Sequence, residues 1–149
     1  MKKRAIGIAF LVICTAVMGV CGFARDATDS YFYNFAIVPR KTTILNQPYR
    51  AKDTSTSVYL YLTGAENNRF DSVYVRVYGT GDNDCTLTAN GKSGKVTCNL
   101  YTEYEIYNNI YEKGYRFANI GFESKNYLES QKITGRWSPD CIGNFPVAS

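Results

Sequence analysis

The stretch SVYLYLTGAENNRFDSVYVRVYG, residues 57–79, decides the fold because it contains two runs in which apolar and polar side chains alternate. In the first run, residues 57–63, valine and leucine alternate with tyrosine. In the second, residues 72–79, valine alternates with tyrosine and arginine. Successive side chains of a β-strand point to opposite faces of its sheet. Each run therefore predicts a strand with one face against a core and the other toward solvent or a partner.

Three further runs are rich in the aromatic and β-branched residues that strands favour: residues 31–38, 115–123 and 132–137. Residues that form turns separate the runs, for example at 64–68 and 124–127. Short strands at this spacing are typical of an antiparallel sandwich or barrel. We therefore predict an all-β chain with a single domain, an antiparallel β-sandwich or a small barrel.

Residues 102–113 match the sequence patterns of both a short helix and a strand. Thr102 followed by Glu105 matches a helix capping box, and Ile106 and Ile110 have the i, i+4 spacing of a helix. The start of the same segment also alternates as a strand does. The sequence alone leaves both a short helix and a strand open here.

The N-terminus has the pattern of a cleavable secretory signal. Three basic residues precede an uncharged, largely apolar stretch that ends in Gly-Phe-Ala, with Ala24 at the cleavage position. We predict a signal peptide over residues 1–24, a loose leader over 25–30, a single β domain over 31–149, and a secreted, extracellular protein. Two alternatives are an uncleaved membrane anchor and a lipoprotein attached through Cys21.

Charge and composition exclude several classes of function. The chain has 17 basic and 13 acidic residues, and three of the basic ones lie in the predicted signal, so the exported chain would be close to neutral. A nucleic-acid partner is therefore not predicted, and neither is stable membrane insertion once the signal is removed. The chain has no histidine, which excludes Ser-His-Asp and Cys-His catalysis and the usual histidine-containing zinc sites. We predict no enzymatic activity, no cofactor and no metal.

Two pairs of carboxylates are the remaining candidates for chemistry: Asp82 with Asp84, and Glu103 with Glu105. Two carboxylates can hydrolyse a glycoside, and residues two apart share one face of a strand. Both pairs lie in turn-like or surface-like sequence, where solvated charges are common. Residues 82–84 also lack the glycine and the distal glutamate that would complete a calcium loop.

The segment DNDCTLTANGKSGKVTC, residues 82–98, predicts a hairpin. A tight turn with Gly91 and Lys92 at its centre would place Cys85 directly opposite Cys98, at a pair of positions where side chains approach closely. An exported protein can form disulfides. We therefore predict a bond between these two cysteines.

A turn centred one residue earlier, at Asn90 and Gly91, would separate the two cysteines. Cys141 is left over, and an odd cysteine suggests a free thiol, a bond to another chain or a different pairing. Its use in catalysis is not predicted, because no histidine is available as a base.

Tyrosine is unusually frequent, with 13 residues in the chain. The polar faces of the two alternating strands carry five side chains that would form a single aromatic face if these strands are neighbours. Such a face could stack on sugar rings or anchor a protein partner. The alternative is that the tyrosines form cross-strand pairs that stabilise the sheets. The candidate binding residues are Tyr59, Tyr61, Tyr74, Arg76 and Tyr78.

Two blocks of the sequence resemble a known family. The segments PYRAKDTSTSVYLYL, residues 48–62, and NIGFESKNYLESQKITGRWSPD, residues 119–140, are similar to segments of small exported proteins of Gram-positive bacteria that are catalogued as a domain of unknown function. The resemblance implies no catalytic residues, and the cysteine hairpin departs from the family's pattern. The positions that carry the resemblance in the second block are Glu123, Asn126, Tyr127, Gly135, Trp137 and Asp140.

Size and tyrosine content give a looser similarity to secreted bacteriocins of the lactococcin 972 type. We expect a binding or interaction module whose partner is an extracellular protein or a cell-wall component. The alternative is a secreted, bacteriocin-like antibacterial protein that acts at the cell envelope.

Overall fold

The computed structural model describes residues 28–66, 70–81 and 91–149, and every regular element in these ranges is a β-strand. The predicted all-β fold is therefore confirmed. The strands are β1 (Ser30–Ile37), β2 (Thr43–Ile44), β3 (Arg50–Ala51), β4 (Val58–Ala65), β5 (Ser72–Thr80), β6 (Gly91–Lys92), β7 (Val96–Asn99), β8 (Glu103–Ile106), β9 (Phe117–Ser124) and β10 (Gln131–Ser138).

The strands form two antiparallel sheets. In the first sheet the order is β1, β10, β4, β8. In the second sheet β9 and β5 lie side by side. There β2 and β3 pair with the other edge of β9, and β6 and β7 pair with the other edge of β5. In the described ranges neither sheet closes on itself, so the fold is a sandwich rather than a barrel.

The two sheets pack against each other through their apolar faces. The side chains predicted to face the core do so: Val58, Leu60 and Leu62 of β4 are buried, as are all three valines of β5. Trp137 of β10 is the largest of the fully buried side chains. Burying a large apolar side chain contributes about 1.5–3 kcal/mol, so these faces hold the sheets together.

Residues 102–113 contain a strand and a turn, so the helical alternative is wrong. β8 pairs antiparallel with β4. After it, the side chain of Asn108 donates from Nδ2 to the carbonyl of Ile106 at 3.2 Å and accepts at Oδ1 from the amide of Ile110 at 3.3 Å. Both isoleucines are buried. The i, i+4 spacing of Ile106 and Ile110 therefore does not reflect a helix. Ile106 ends β8, and the turn fixed by Asn108 then places Ile110 in the core as well.

The predicted tight turn at Gly91 and Lys92 is also wrong, because these residues are β6 and pair with β5. Ser93 then binds both backbone groups of Val77. Its amide donates to the Val77 carbonyl at 2.8 Å, and its Oγ accepts from the Val77 amide at 2.9 Å. Because β5 is an inner strand whose backbone groups need partners on both edges, the chain extends along it here instead of turning.

Cys98 lies in β7 opposite Val73 and is fully buried. Burial raises the pKa of the Cys98 thiol to about 12, so the reduced form is protonated at neutral pH. Cys85 lies outside the described residues. The bond between Cys85 and Cys98 therefore stays a prediction, whereas the hairpin register from which it was inferred is not the one that forms.

The last residues of the chain connect the two sheets. The amide of Glu105 in β8 donates to the carbonyl of Pro146 at 2.9 Å, and the amide of Ala148 donates back to Glu105 at 2.9 Å. The amide of Thr97 in β7 donates to Ser149 at 2.8 Å. Because β8 and β7 belong to different sheets, this segment covers one open side of the sandwich, with Ala148 buried in the core.

Candidate functional site

Four side chains form a row across the outer face of the first sheet. The strand register places Tyr31 of β1 opposite Arg136 of β10, Arg136 opposite Tyr61 of β4, and Tyr61 opposite Glu103 of β8. The residues that alternate with them along each strand pack in or against the core. Since alternate side chains point to opposite faces of a sheet, all four members of the row meet at the outer surface.

Arg136 is the centre of this row. Its Nη1 lies 3.2 Å from Asp29 Oδ2, and its Nη2 lies 3.2 Å from Glu103 Oε1. The guanidinium carbon lies 5.7 Å and 5.3 Å from the ring centroids of Tyr59 and Tyr61, within the range of cation–π contacts. Burial alone would lower the pKa of Arg136, but its hydrogen bonds and acidic neighbours raise it above the ordinary value. The guanidinium is therefore a permanent, well-anchored cation.

Tyr59 lies beside this row, on the same face of β4 as Tyr61, and most of its side chain is covered. Its hydroxyl donates to Glu103 Oε1 at 2.6 Å. The ring of Phe145 packs on it with centroids 5.1 Å apart, so that only 7% of Tyr59 is exposed. Burial and the hydrogen bond to Glu103 raise the pKa of Tyr59, which keeps the hydroxyl protonated as a donor. Glu103 is thereby held by two donors, Tyr59 and Arg136.

A cleft of about 500 Å³ opens beside Arg136, and we call it the Arg136 cleft. A smaller cavity of about 210 Å³ shares Glu103, Arg136 and Phe145 with it. Within the part of the chain that the structure describes, Nε of Arg136 is buried without a hydrogen-bond partner. The Arg136 cleft is lined by Tyr61, Tyr101, Thr102, Glu103, Arg136, Phe145 and Pro146.

Tyr101 presents the most exposed aromatic ring of the cleft, with 64% of the residue accessible. Its backbone has a φ of +60°, a conformation that bulky residues rarely adopt. A hydrogen bond from its amide to the carbonyl of Leu62 at 2.8 Å holds it there. Backbone conformations of this kind cluster at functional sites. No sequence pattern marks a tyrosine for this conformation, so Tyr101 was not among the predicted residues.

The five predicted binding residues do not form one face, because β4 and β5 belong to different sheets. The two strands direct their valine and leucine faces into the shared core, which sends their tyrosines to opposite outer faces. On the second sheet Tyr78 covers Gly121, where an added Cβ would lie 2.7 Å from the ring. Tyr59 and Tyr61 therefore belong to the first outer face, and Tyr74, Arg76 and Tyr78 to the second.

The two sequence blocks that carry the family resemblance meet in a buried ion pair. Lys52 Nζ lies 3.1 Å from Asp140 Oδ1, and neither side chain is exposed. Lys52 Nζ also donates to the carbonyls of Thr56 at 2.7 Å and Pro139 at 2.8 Å. Asp140 accepts in addition from the hydroxyls of Thr54 at 2.6 Å and Thr56 at 3.0 Å, and from one backbone amide. Because these bonds satisfy both charges, the pair ties the loop after β3 to the end of β10 and is not available to a ligand.

The other candidate carboxylates and the last cysteine have structural partners where the structure describes them. Glu105 accepts from the amide of Phe145 at 3.2 Å. Cys141 is buried with a free thiol, and burial together with Glu105 raises the pKa of that thiol to about 11. Asp82 and Asp84 lie outside the described residues. In the described ranges, no group of three or more histidine, cysteine, aspartate or glutamate side chains is arranged to hold a metal ion.

Across residues 28–66, 70–81 and 91–149, no helix is long and apolar enough to cross a bilayer.

The sequence profile of a family described as "Protein of unknown function (DUF2712)" matches residues 20–141. The chain belongs to this family. The expected membership in a family of unknown function is therefore confirmed. The DUF2712 match includes Tyr101, Glu103 and Arg136 of the cleft, together with both members of the buried ion pair. Neither the curated proteins nor the solved structures contain a match to this chain.

Proposed function

We propose that the protein is an exported, non-enzymatic binding module that takes its ligand in the Arg136 cleft. The observation that carries the proposal is the exposed ring of Tyr101, held in a rare backbone conformation beside side chains that ion pairs already fix. Groups ordered before binding favour affinity, because ordering them during binding costs free energy. The signal pattern of residues 1–24 supports export.

The charges of the cleft favour a neutral or positively charged ligand. Arg136 is paired with Glu103 in the cleft and with Asp29 in the adjoining cavity. The guanidinium is therefore already matched by two carboxylates, and an added anion would meet an excess of negative charge. Aromatic rings beside fixed carboxylates can stack on a sugar ring and bind its hydroxyls, and they can also receive side chains of a protein. The proposed partner is a neutral cell-wall glycan or an extracellular protein.

The non-enzymatic part of the proposal rests on the available chemistry. The chain has no histidine to act as a general base. Glu103, the carboxylate nearest to the cleft, is engaged by Arg136 and by the hydroxyl of Tyr59. Both donors reach Oε1 of Glu103, so these contacts give the carboxylate a structural role in the sheet.

Removing the Tyr101 ring tests the proposal. We expect Tyr101→Ala to weaken binding of fluorescently labelled, solubilised peptidoglycan fragments, or of labelled culture-supernatant protein, by about fivefold or more, since a buried tyrosine anchor contributes over about 1 kcal/mol. Fluorescence anisotropy measures the affinity, and a thermal melt confirms the fold. Tyr107→Ala is the matched control, because Tyr107 is 70% exposed but does not line the cleft.

Two results would count against the proposal. If Tyr101→Ala and Tyr107→Ala change the affinity equally, binding does not use the Arg136 cleft. If neither the glycan fragments nor the supernatant protein binds the unaltered chain, the protein is not a module for these partners.

A further inference from the structure

The second sheet carries a cluster of cations on its outer face, on the side of the sandwich opposite to the Arg136 cleft. Lys95 Nζ lies 4.5 Å from the ring centroid of Tyr74, and Lys125 Nζ lies 5.3 Å from the same centroid. Arg76 lies two residues further along the same strand as Tyr74, so its side chain emerges on the same face. Two ammonium groups therefore lie against the Tyr74 ring and a guanidinium lies on the same face. We call Tyr74, Arg76, Lys95 and Lys125 the Tyr74 cluster.

The Tyr74 cluster has less negative charge than it needs for neutrality. Glu123 lies 3.3 Å from Lys95 and also accepts from the hydroxyl of Thr42 at 3.3 Å. Among the described residues no carboxylate lies within ion-pair distance of Arg76 or Lys125. The contact of Arg76 Nη1 with a backbone carbonyl is long, at 3.5 Å. Within ion-pair distance one carboxylate stands against three cations, and Asp71, which lines a cleft together with Lys125, brings the number of nearby carboxylates to two.

Two more cations lie at the edge of this face. Arg40 and Lys41 are exposed and lie in the segment that runs beside β9, and Arg40 stacks on Tyr127 with 5.5 Å between the guanidinium carbon and the ring centroid. The outer face of the first sheet shows the opposite imbalance around Arg136, whose guanidinium is paired with the two carboxylates of Asp29 and Glu103. Positive charge is thus segregated onto one side of a chain whose exported part is close to neutral.

We propose that the Tyr74 cluster is a second binding site, and that its ligand is a phosphodiester-linked polyanion. Lysine ammonium groups act as point charges that suit flexible phosphates without a fixed geometry. Cations on neighbouring strands and on alternate residues of one strand are spaced about 5–7 Å apart, so several of them can meet successive charges of one extended polymer. Such a ligand is bound through counterion release and not through shape.

Two other anionic partners fit less well. Two exposed apolar side chains, Tyr127 and Leu128, lie in the same turn as Lys125. They form a small apolar surface, and Arg40 lies over the Tyr127 ring, whereas a membrane-binding face is broadly apolar. A single-stranded nucleic acid would need an open aromatic ring for its bases, and two ammonium groups already lie on Tyr74.

Binding of synthetic poly(glycerol phosphate) to the full chain, measured by calorimetry at several salt concentrations, tests the proposal. We expect the double variant Lys95→Gln, Lys125→Gln to bind at least about tenfold more weakly at low salt. We also expect it to lower the slope of log affinity against log salt by about 1–2, roughly one for each phosphate that the protein no longer neutralises. The matched control, Lys113→Gln with Lys132→Gln, removes the same charge elsewhere and should change the affinity less than about twofold.

Three results would overturn this assignment. Equal weakening by both double variants would mean that only the net charge matters. No binding of the polymer to the unaltered chain would mean that the site does not exist for this ligand. Binding to vesicles containing phosphatidylglycerol but not to the polymer would assign the face to a lipid surface. Tyr101→Ala should leave polymer binding unchanged, which keeps this test independent of the cleft.

Discussion

Lys52 and Asp140 show what a side chain needs in order to remain charged inside this core. Burial lowers the pKa of Lys52. Burial alone would raise the pKa of Asp140, but hydrogen bonds from the Thr54 hydroxyl and the Asp53 amide, together with the charge of Lys52, lower it below its ordinary value. A carboxylate stabilised in the folded state makes the free energy of unfolding depend on pH.

We expect the free energy of unfolding to fall in acid. An unfolded chain has an aspartate pKa of about 3.9, and the pKa of Asp140 in the folded chain lies lower. Its stabilising contribution is therefore fully present above about pH 4 and is lost as the pH falls through the folded pKa. Urea unfolding over a series of acidic and neutral buffers measures this dependence.

The variant Asp140→Asn is the direct test of that assignment. It leaves the buried charge of Lys52 without its partner, so it should destabilise the fold by about 3–5 kcal/mol at neutral pH and flatten the decline in acid. An acid decline that is as steep in Asp140→Asn as in the unaltered chain would show that other carboxylates cause it.

At the residue scale, prediction succeeded where a pattern repeats along the chain and failed where distant residues meet. The alternation in β4 was enough to predict that Val58, Leu60 and Leu62 are buried. Arg136 and Glu103 are brought together because β4 lies between β10 and β8. That strand order cannot be read from either residue or its neighbours in sequence.

At the scale of elements, β10 and β4 approach each other unusually closely at one glycine. A Cβ added to Gly135 would lie 2.5 Å from the carbonyl oxygen of Tyr61 and 2.8 Å from the ring of Phe32. The register of this strand pair shifts just before Gly135. The Tyr61 carbonyl oxygen cannot move aside without disturbing the hydrogen bonds between β4 and β10, the strand that carries Arg136.

We expect Gly135→Ala to destabilise the protein by about 1–3 kcal/mol, because the added methyl group overpacks this contact. Gly64→Ala is the matched control, since Gly64 lies in β4 of the same sheet and a Cβ there would meet nothing within 4 Å. That variant should change the stability by less than about 0.5 kcal/mol. Chemical denaturation measures both, and equal losses in the two variants would contradict the close approach.

The long strands could be predicted, and the short ones could not. Five predicted runs correspond to β1, β4, β5, β9 and β10, each of eight or nine residues. β2, β3 and β6 have two residues each, which is too few for a period of two to be visible. These segments become strands because the edges of β9 and β5 supply partners for their backbone groups.

At the scale of the whole molecule, the sandwich separates two kinds of surface. Because β4 and β5 face each other across the core, the tyrosines predicted to form a single aromatic face lie on opposite sides of the sandwich. One side has the Arg136 cleft with an excess of carboxylates, and the other has the Tyr74 cluster with an excess of cations. The alternation in the sequence predicted the sandwich, but a net charge of +4, to which three basic residues within residues 1–24 contribute, gave no sign of this segregation.

The central claim, that a ligand occupies the Arg136 cleft, is tested most directly by following side-chain and backbone nitrogen resonances during a titration with solubilised peptidoglycan fragments or supernatant protein. The Nε–H of Arg136 is a specific probe because it is buried beside the cleft and, among the described residues, has no hydrogen-bond partner. We expect its resonance and the amide resonances of Tyr101 and Thr102 to shift and saturate together, while the Nε–H resonance of Arg76 on the opposite face stays in place. Saturable binding that shifts Arg76 and leaves the resonances of Arg136 and Tyr101 unchanged would contradict the claim.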